Sequence, residues 1–317
     1  MAQNDSLHSS SSTRQAKALP DTAMALARAE MDEGFLAAKD GLKLRWRSHR
    51  PAQDGAHGEV VLVHGYGEHL GRYDHIAAQF LCRGIAVHRF EYRGHGLSGG
   101  KRTHVERFSD YLDDLDVFLA HLVARGVQQI TLIGHSLGGL ISARWLQTRG
   151  SDSDGDGAGG SVSGNAVERA VLCSPFLRLS LQPPLWQRGF SRLANRLFPS
   201  LAVGNGLSVA QLTSDPTIQA ATAADHLYLR TTTPRWFCEV SAAQEALFQD
   251  AGRLTKPLLM LLGERDPIAC PEAGRRLFGL LPGGGHQKLI AFDGMLHELF
   301  NERERAKVFE VVFDWLG

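Results

Sequence analysis

The pentapeptide Gly134-His135-Ser136-Leu137-Gly138 constrains the fold of this chain more than any other stretch of its sequence. The four residues before it, 130–133, form a mostly apolar run with β-branched side chains, which predicts a short buried strand. The residues that follow, 139–146, suit a helix. Because small residues flank Ser136, the backbone can turn tightly there, and the pattern predicts a strand that passes through a sharp turn directly into a helix.

This predicted turn makes Ser136 a candidate nucleophile. A serine at such a corner is exposed, and an oxyanion formed beside it would meet the backbone N–H groups of the following helix. The same short motif occurs at 96–100, but residues 91–95 separate it from a predicted strand at 85–90, and no helix start follows. The context therefore favours Ser136 as the nucleophile and Ser98 as a loop residue.

Short apolar runs alternate with helical patterns along the chain. Most of these runs lack polar alternation, as expected for strands that helices cover on both faces. A hairpin at 35–46, with its turn at Asp40-Gly41, precedes them. The alternation predicts an α/β fold with a mostly parallel, doubly wound sheet. Strands are predicted at 60–63, 85–90, 130–133, 170–173, 258–262 and 288–292, and helices at 73–82, 108–123, 140–148, 271–281 and 302–315.

Two segments interrupt the alternation. Residues 151–165 are rich in Gly, Ser and Asp and predict a flexible surface loop within the core. The aspartates of this loop imitate the start of a calcium-binding loop, but the twelfth position is Ser163 instead of Glu, and no metal is predicted. Residues 175–240 show helical but no strand-like patterns, which predicts a helical cap or lid.

The cap carries an apolar stripe that could pack on the core or face a lipid-like substrate. Its members are Leu185, Trp186, Phe190, Leu193, Leu197 and Phe198. The core then comprises residues 31–174 and 241–317, and a disordered tail is predicted over residues 1–30.

Composition narrows the function classes. The formal net charge of zero provides no basic field for nucleic acid. The four cysteines are scattered and define no disulfide framework, so we expect free thiols in a reducing compartment. No secretory signal pattern and no apolar run long enough to span a bilayer is present. These features predict a cytoplasmic protein that touches a membrane surface at most transiently.

A nucleophilic serine requires a base and a carboxylate that orients the base. The strand at 258–262 leads into a loop that contains Asp266, at the sheet edge where α/β proteins place their sites. Glu264 lies nearer the strand and is the rival carboxylate. The strand at 288–292 leads to His297, whereas His286 precedes that strand. Ser136, Asp266 and His297 therefore form the predicted catalytic triad.

An oxyanion hole requires two backbone donors. The first is predicted at Leu137, which follows the nucleophile. The second is predicted at Tyr66, in the glycine-rich loop after the strand at 60–63, where a small-residue turn lets the backbone approach a substrate. His64 is expected to support this loop by hydrogen bonding. The glycines expected to permit these turns are Gly65, Gly67, Gly134 and Gly138.

Several of these segments resemble one protein family. Residues 64–73 are similar to the H-G-x-G-E-H-x-x-R-Y block of monoacylglycerol lipases and bacterial lysophospholipases, which are α/β-hydrolases of the serine aminopeptidase S33-like group. Residues 93–100 are similar to that family's R-G-x-G-x-S-x-G loop, and residues 104–115 and 214–216 match further segments. The resemblance begins near residue 35 and continues to the end of the chain. It implies the α/β-hydrolase fold with a helical cap after the sixth strand, and the same triad and oxyanion donors.

Two departures from the family pattern stand out. Glu91 replaces the usual Asp ahead of the second motif, where little effect is expected. Leu212 stands where some monoacylglycerol lipases carry a polar aromatic residue near the glycerol end of the substrate, which argues against strict monoacylglycerol selectivity.

We therefore expect a serine carboxylic-ester hydrolase that cleaves single-chain lipid esters, a lysophospholipid or a monoacylglycerol, through an acyl-enzyme on Ser136. No cofactor is expected, and Trp186, Phe190 and Leu212 are the expected substrate-binding residues of the cap. A general carboxylesterase, an S33-type aminopeptidase and an acyltransferase stay as alternatives, with Glu239 and Asp225 as acidic residues for a peptidase. A non-enzymatic scaffold is disfavoured, because all three triad positions are filled.

Overall fold

The computed structural model describes residues 19, 21–52, 55–150, 163–181, 191, 193–283 and 286–317. The strands are β1 (Ala29–Ala37), β2 (Lys43–Pro51), β3 (Gly58–Val63), β4 (Ile85–Phe90), β5 (Ile130–His135), β6 (Val167–Cys173), β7 (Val203–Gly204), β8 (Thr231–Thr232), β9 (Leu258–Gly263) and β10 (Gln287–Phe292). The helices are α1 (Thr22–Ala27), α2 (Asp74–Leu81), α3 (Phe108–Ala124), α4 (Leu137–Arg149), α5 (Pro216–Ala224), α6 (Pro234–Gln249), α7 (Pro271–Gly279) and α8 (Arg305–Leu316). Residues 193–197 are also helical.

Eight strands form one sheet in the order β1-β2-β4-β3-β5-β6-β9-β10. β1 pairs with β2 and β2 with β4 in antiparallel fashion, whereas every pair from β4 to β10 is parallel. Every residue of β5 and β9 is buried, because apolar cores lie on both faces of the sheet. The predicted α/β class and the mostly parallel, doubly wound sheet are confirmed.

The sheet places the functional loops at one edge. β5 lies between β3 and β6, with Val63 opposite Gly134 and His135 opposite Cys173. The carboxyl ends of these three strands, and of β9 and β10, therefore meet at the same edge. The loops that carry the predicted triad and oxyanion donors all leave the sheet there.

The hairpin extends beyond the predicted range of 35–46. β1 pairs with β2 from Ala29 to Ala37, and Gly41 in the turn has φ 83°, a conformation that favours glycine. The structure also differs from the tail predicted over residues 1–30, because helix α1 and the start of β1 lie within that range. Asp21 caps α1 by accepting from the backbone N–H of Met24.

The cap differs from its predicted description in two ways. Although no strand was predicted within 175–240, β7 pairs with β8 in an antiparallel ribbon. Helix α6 runs through the predicted boundary at residue 240, because it carries one apolar face that is buried in the core from end to end. Its buried residues are Trp236, Val240, Ala243 and Leu247.

Some predictions fall on residues that the structure does not describe. These are most of the predicted loop at 151–165, the aspartates within it, and the cap residues Leu185, Trp186 and Phe190. In the described ranges, no helix combines the length and the apolar character that a membrane span requires.

Candidate active site

Ser136 lies between the last residue of β5 and the first residue of α4. Its backbone has φ 51° and ψ −115°, a strained conformation for a residue with a side chain. The turn requires glycine at its flanks, because a Cβ on Gly138 would lie 2.1 Å from the carbonyl oxygen of Val63. A Cβ on Gly134 would lie 2.5 Å from the carbonyl oxygen of Gly138. Close packing of these backbones thus holds the serine at the corner.

Backbone hydrogen bonds fix this corner to its neighbours. The N–H of Ser136 donates to the carbonyl of Cys173 at the end of β6, at 3.0 Å. The carbonyl of Ser136 accepts from the N–H of Phe176 at 2.9 Å and from that of Leu140 at 3.2 Å. Strand β6 and the segment that follows β6 therefore hold Ser136 in its strained conformation.

The structure brings the three predicted triad residues into one chain of hydrogen bonds. Ser136 Oγ lies 2.8 Å from Nε2 of His297, and Nδ1 of the same imidazole lies 2.7 Å from Oδ2 of Asp266. All three side chains are buried. In this arrangement Nδ1–H donates to the carboxylate, which leaves Nε2 free to accept the serine proton.

Asp266 is held by its second oxygen. Oδ1 accepts from the backbone N–H groups of Ile268, at 2.8 Å, and Ala269, at 2.9 Å. The rival carboxylate, Glu264, forms instead an ion pair with Arg275 near the surface. Asp266, and not Glu264, is therefore the carboxylate that contacts His297.

The two predicted oxyanion donors lie in separate loops at the same edge of the sheet. Leu137 is the first residue of α4, and Tyr66 lies in the loop 64–67, which we call the oxyanion loop. Within the described ranges neither backbone N–H is used in a hydrogen bond. His64 Nδ1 donates to the carbonyl of Gly65 at 2.8 Å, and the hydroxyl of Tyr92 donates to the same carbonyl at 2.8 Å.

Glycines in the oxyanion loop allow close approach of other groups. A Cβ on Gly65 would lie 2.8 Å from both Oε2 of Glu68 and Nδ1 of His135. Gly67 has φ 76°, and a Cβ there would lie 2.6 Å from the carbonyl oxygen of Leu229 in the cap. The loop is thus packed against the core on one side and the cap on the other.

Four ionisable residues, each with a side chain at most 8% exposed, lie behind the triad and the oxyanion loop. This buried charge cluster consists of Glu68, Arg72, His135 and Glu298. Arg72 Nη2 donates to both oxygens of Glu298, at 2.9 and 3.0 Å. Glu68 Oε2 accepts from the backbone N–H of Gly65 at 2.6 Å and lies 3.3 Å from Nδ1 of His135.

The cluster touches the triad predicted here, since the rings of His135 and His297 lie 4.9 Å apart. Burial opposes ionisation of Glu68, but His135 and Arg72 outweigh burial and hold the pKa of Glu68 well below its usual range. Burial likewise opposes protonation of His135, but the carboxylate of Glu68 raises the pKa of His135. Burial raises the pKa of Glu298, although Arg72 partly offsets it.

His64 behaves differently from His135. Burial lowers the pKa of His64 from 6.5 to about 4, and Gly65 and Glu68 offset only part of this effect. The imidazole is therefore neutral at physiological pH and serves as a hydrogen-bond donor in the oxyanion loop.

Sequence reasoning assigned no role to the residues of the buried charge cluster. A signal was available, because Glu68 and Arg72 lie within the block 64–73 that resembles the lipase family, and His135 lies within the serine motif itself. Charged residues this close to predicted catalytic loops are candidates for burial in the site. Their mutual contacts, however, depend on chain crossings that no local pattern encodes.

A cavity of about 700 Å³ lies next to Phe176, and neither the predicted triad nor Tyr66 nor Leu137 contributes to its lining. Its apolar lining includes Phe176, which is hydrogen-bonded to Ser136, and Trp236, whose ring lies 4.2 Å from that of Tyr66. Polar side chains including Arg178 and Glu245 line other parts of it.

The predicted cap residue Leu212 is buried. It packs with Tyr228 and Ile268, and its carbonyl accepts from the N–H of Glu298 at 2.7 Å. Leu193, Leu197 and Phe198, the described members of the predicted apolar stripe, are exposed on the cap.

Comparison with known proteins places these features in a family. Residues 54–304 match the Hydrolase_4 family, described as serine aminopeptidase, S33. A monoacylglycerol lipase of Mycolicibacterium smegmatis is 31% identical over 287 residues, covering 90% of this chain and 96% of that protein. Phospholipase YtpA of Bacillus subtilis is 26% identical, covering 84% of this chain and 95% of the other.

Solved structures show the same fold. The crystal structure of a monoacylglycerol lipase from Paleococcus ferrophilus aligns with a TM-score of 0.71 at 27% identity, over 91% of this chain and 98% of the other. A soluble variant of monoglyceride lipase from Saccharomyces cerevisiae, in complex with a substrate analogue, aligns with a TM-score of 0.73 at 20% identity, over 91% and 95% of the two chains. The chain therefore belongs to the Hydrolase_4 family of serine aminopeptidase S33 type, among the monoacylglycerol lipases and lysophospholipases of the α/β-hydrolase fold.

Proposed function

We propose that this protein is a serine carboxylic-ester hydrolase that cleaves the ester bond of single-chain lipids, a monoacylglycerol or a lysophospholipid. The observation that carries the proposal is the continuous relay from Ser136 Oγ through His297 to Asp266, with separations of 2.8 and 2.7 Å. These separations are within the hydrogen-bond reach required for proton transfer. The names of the relatives, monoacylglycerol lipase and phospholipase, support the class of substrate.

In the proposed mechanism, Nε2 of His297 takes the proton of Ser136 as the serine oxygen attacks the ester carbonyl. Asp266 holds the Nδ1–H tautomer and stabilises the imidazolium that forms. The backbone N–H groups of Tyr66 and Leu137 donate to the oxyanion of the tetrahedral intermediate. His297 then protonates the departing alcohol, a glycerol or glycerophospho group. Water activated by the same imidazole hydrolyses the acyl-enzyme, and no cofactor is needed.

The cavity next to Phe176 supports a lipid acyl chain as the bound group. Its volume of about 700 Å³ lies in the range of sites that bury a small ligand. The apolar side chains of Phe176, Leu177, Trp236 and Val240 line it, and the backbone N–H of Phe176 donates to the carbonyl of Ser136 at 2.9 Å. We propose that the acyl chain occupies this apolar part.

The exposed cap surface supports transient contact with a lipid surface. Phe198 is 62% exposed, and four further apolar side chains from the same stretch of the cap are exposed as well: Leu193, Leu197, Leu201 and Val203. We propose that they act together as a contact surface, since large exposed apolar patches are typical of interaction sites. Cys82, Cys173 and Cys270 carry free thiols. Together with the exposed cap surface, they support a protein that works in a reducing compartment beside a membrane.

The aminopeptidase alternative finds less support in the site. It requires a free carboxylate for the substrate's amino terminus, but the two acidic candidates are already bound. Asp225 lies 2.8 Å from Nε2 of His69 and also accepts from the N–H of Leu227. Glu239 accepts from the N–H of Phe108 at the start of α3.

The test is a set of initial rates on monooleoylglycerol and oleoyl-lysophosphatidylcholine, with Ser136→Ala as the blank. We expect turnover of at least one lipid by the parent protein, none by the variant, and labelling of the parent alone by a fluorophosphonate. An aminoacyl nitroanilide and a short nitrophenyl ester serve as comparison substrates. Faster turnover of the nitroanilide would favour the peptidase, and activity confined to the short ester would leave an esterase without lipid preference.

A further inference from the structure

The oxyanion loop is bonded directly to the part of the cap that returns to the core. We call residues 229–233 the return segment, which includes β8. The N–H of Leu229 donates to the carbonyl of Gly67 at 2.8 Å. One residue earlier in the loop, the phenolic hydroxyl of Tyr66 donates to the carbonyl of Thr231. Two successive loop residues are thus tied to the same cap segment.

The Tyr66 side chain is fixed in the orientation that makes this bond. Its ring packs against Trp236 at 4.2 Å and meets His95 edge-on at 5.6 Å. Burial raises the pKa of Tyr66 above its usual range, so that the hydroxyl stays protonated and donates. Tyr66 therefore has two parts with different partners. Its backbone N–H is a proposed oxyanion donor, and its side chain forms a hydrogen bond that depends on the position of the cap.

The return segment is anchored to the core on its other side. His104 Nδ1 lies 3.1 Å from Oγ1 of Thr233, and Oγ1 of Thr103 lies 3.3 Å from Oγ1 of Thr231. Thr103 adopts φ 57°, a strained conformation for a residue with a β-branched side chain. The anchor, the return segment and Tyr66 thus form one continuous set of contacts that ends at the oxyanion loop.

We propose that Tyr66 is a positioning residue. Through the hydrogen bond of its hydroxyl, the geometry of the oxyanion hole depends on the position of the cap's return segment. An oxyanion donor accelerates the reaction only when it is held in place before the charge develops. A backbone N–H that loses its lateral support points less accurately at the oxyanion, and misplacement near 1 Å can cost about 100-fold in rate. We therefore expect the oxyanion hole to reach its active geometry only when the return segment lies in this position against Tyr66. The inference rests on the proposed ester hydrolysis.

The decisive variant is Tyr66→Phe, which keeps the ring and its packing but removes the hydroxyl. We expect kcat to fall about tenfold on both monooleoylglycerol and nitrophenyl acetate, with KM within about twofold of the parent value. The rate of fluorophosphonate labelling should fall in parallel. Tyr111→Phe is the matched control, because Tyr111 is also fully buried in this aromatic region. Among the described residues, its hydroxyl bonds to neither the oxyanion loop nor the return segment.

A second variant tests the transmission itself. His104→Gln keeps an amide where Nε2 faces Glu106 but removes the Nδ1 contact with Thr233. We expect His104→Gln to lower kcat in the parent protein and to cause no further loss when Tyr66→Phe is already present. Such non-additivity identifies groups that act through one contact.

Three outcomes would overturn the proposal. A kcat of Tyr66→Phe within twofold of the parent would show that the hydroxyl does not position the loop. A lower melting temperature with unchanged kcat would assign it a purely structural role. Independent, multiplicative losses from Tyr66→Phe and His104→Gln would show that the return segment does not act through Tyr66. Failure of the proposed function itself is distinguishable, because the parent protein would then turn over neither monooleoylglycerol nor oleoyl-lysophosphatidylcholine, before any variant is compared.

Discussion

Replacing Asp266 with Asn tests the proposed relay with the smallest change in shape. Oδ1 of Asp266 accepts from two backbone N–H groups, those of Ile268 and Ala269, so an asparagine must keep its carbonyl oxygen at that position. Its NH₂ group then faces Nδ1 of His297, where the carboxylate Oδ2 lies at 2.7 Å in the parent. The asparagine NH₂ and Nδ1–H of His297 are both donors and cannot form a hydrogen bond with each other. The imidazole must therefore carry its proton on Nε2 instead of Nδ1.

In the altered tautomer, Nε2 of His297 carries a proton and cannot act as the base. With its proton on Nε2, His297 donates toward Ser136, at 2.8 Å in the parent, instead of accepting the serine proton. Loss of the correct tautomer in a serine triad lowers kcat by about 10⁴-fold. This corresponds to about 5.5 kcal/mol in the activation barrier. The tethers to Ile268 and Ala269 survive, so the free energy of unfolding should change by less than about 1 kcal/mol.

The assay is steady-state hydrolysis of monooleoylglycerol, together with urea unfolding of each variant. Glu264→Gln is the matched control, because Glu264 pairs with Arg275 near the surface and should leave kcat within about twofold of the parent. Asp266→Ala should lose activity as well, and it should also unfold more easily by about 2–4 kcal/mol, since two buried N–H groups lose their acceptor.

Retention of more than about a tenth of the parent kcat by Asp266→Asn would refute this reasoning, because the imidazole would then act as a base without its orienting carboxylate. A large loss in Glu264→Gln with little loss in Asp266→Asn would instead transfer the role to Glu264.

Further predictions concern stability and surface contact. Gly138→Ala should destabilise the fold by about 3 kcal/mol or more in urea unfolding, because its Cβ would lie 2.1 Å from the carbonyl oxygen of Val63. Gly279→Ala, where nothing lies within 4 Å, should change stability by less than about 0.5 kcal/mol; equal effects would contradict the steric argument. Burial lowers the pKa of His64 from 6.5 to about 4, so the unfolded chain binds a proton first as the pH falls. Stability should therefore decrease between pH 6.5 and 4, by up to about 1.4 kcal/mol per pH unit for this residue, and a shallower slope is expected in His64→Gln. Phe198→Ser should weaken binding to phosphatidylcholine vesicles in a flotation assay while leaving hydrolysis of a short soluble ester unchanged; unchanged flotation would remove this cap surface as the contact.

Local patterns were sufficient for the parts of the site that depend on neighbouring residues. The apolar run before Ser136, the glycines around it and the helical pattern after it predicted the strand, turn and helix that the structure contains. The strands that lead to Asp266 and His297 were predicted within one residue at their starts, because each is a short apolar run between polar loops. Once several strands are parallel, their carboxyl ends meet at one edge, and the loops after them are neighbours.

The cap illustrates where local pattern fails. The two-residue strands β7 and β8 are too short to produce any alternation, and they exist because they pair with each other. Helix α6 could not be divided at residue 240, since its buried face belongs to the core along its whole length. Both features depend on partners distant in the chain.

The buried charge cluster and the cap contacts of Tyr66 were decided by the tertiary structure alone. Arg72 and Glu298 are 226 residues apart in the chain, and Tyr66 and Thr231 are 165 apart. Hydrophobic periodicity reports which face of an element is buried, but it carries no information on which distant charge lies opposite. That choice follows from strand order and the path of the cap, so the sequence was sufficient to predict a candidate nucleophile, whereas its electrostatic surroundings required the folded chain.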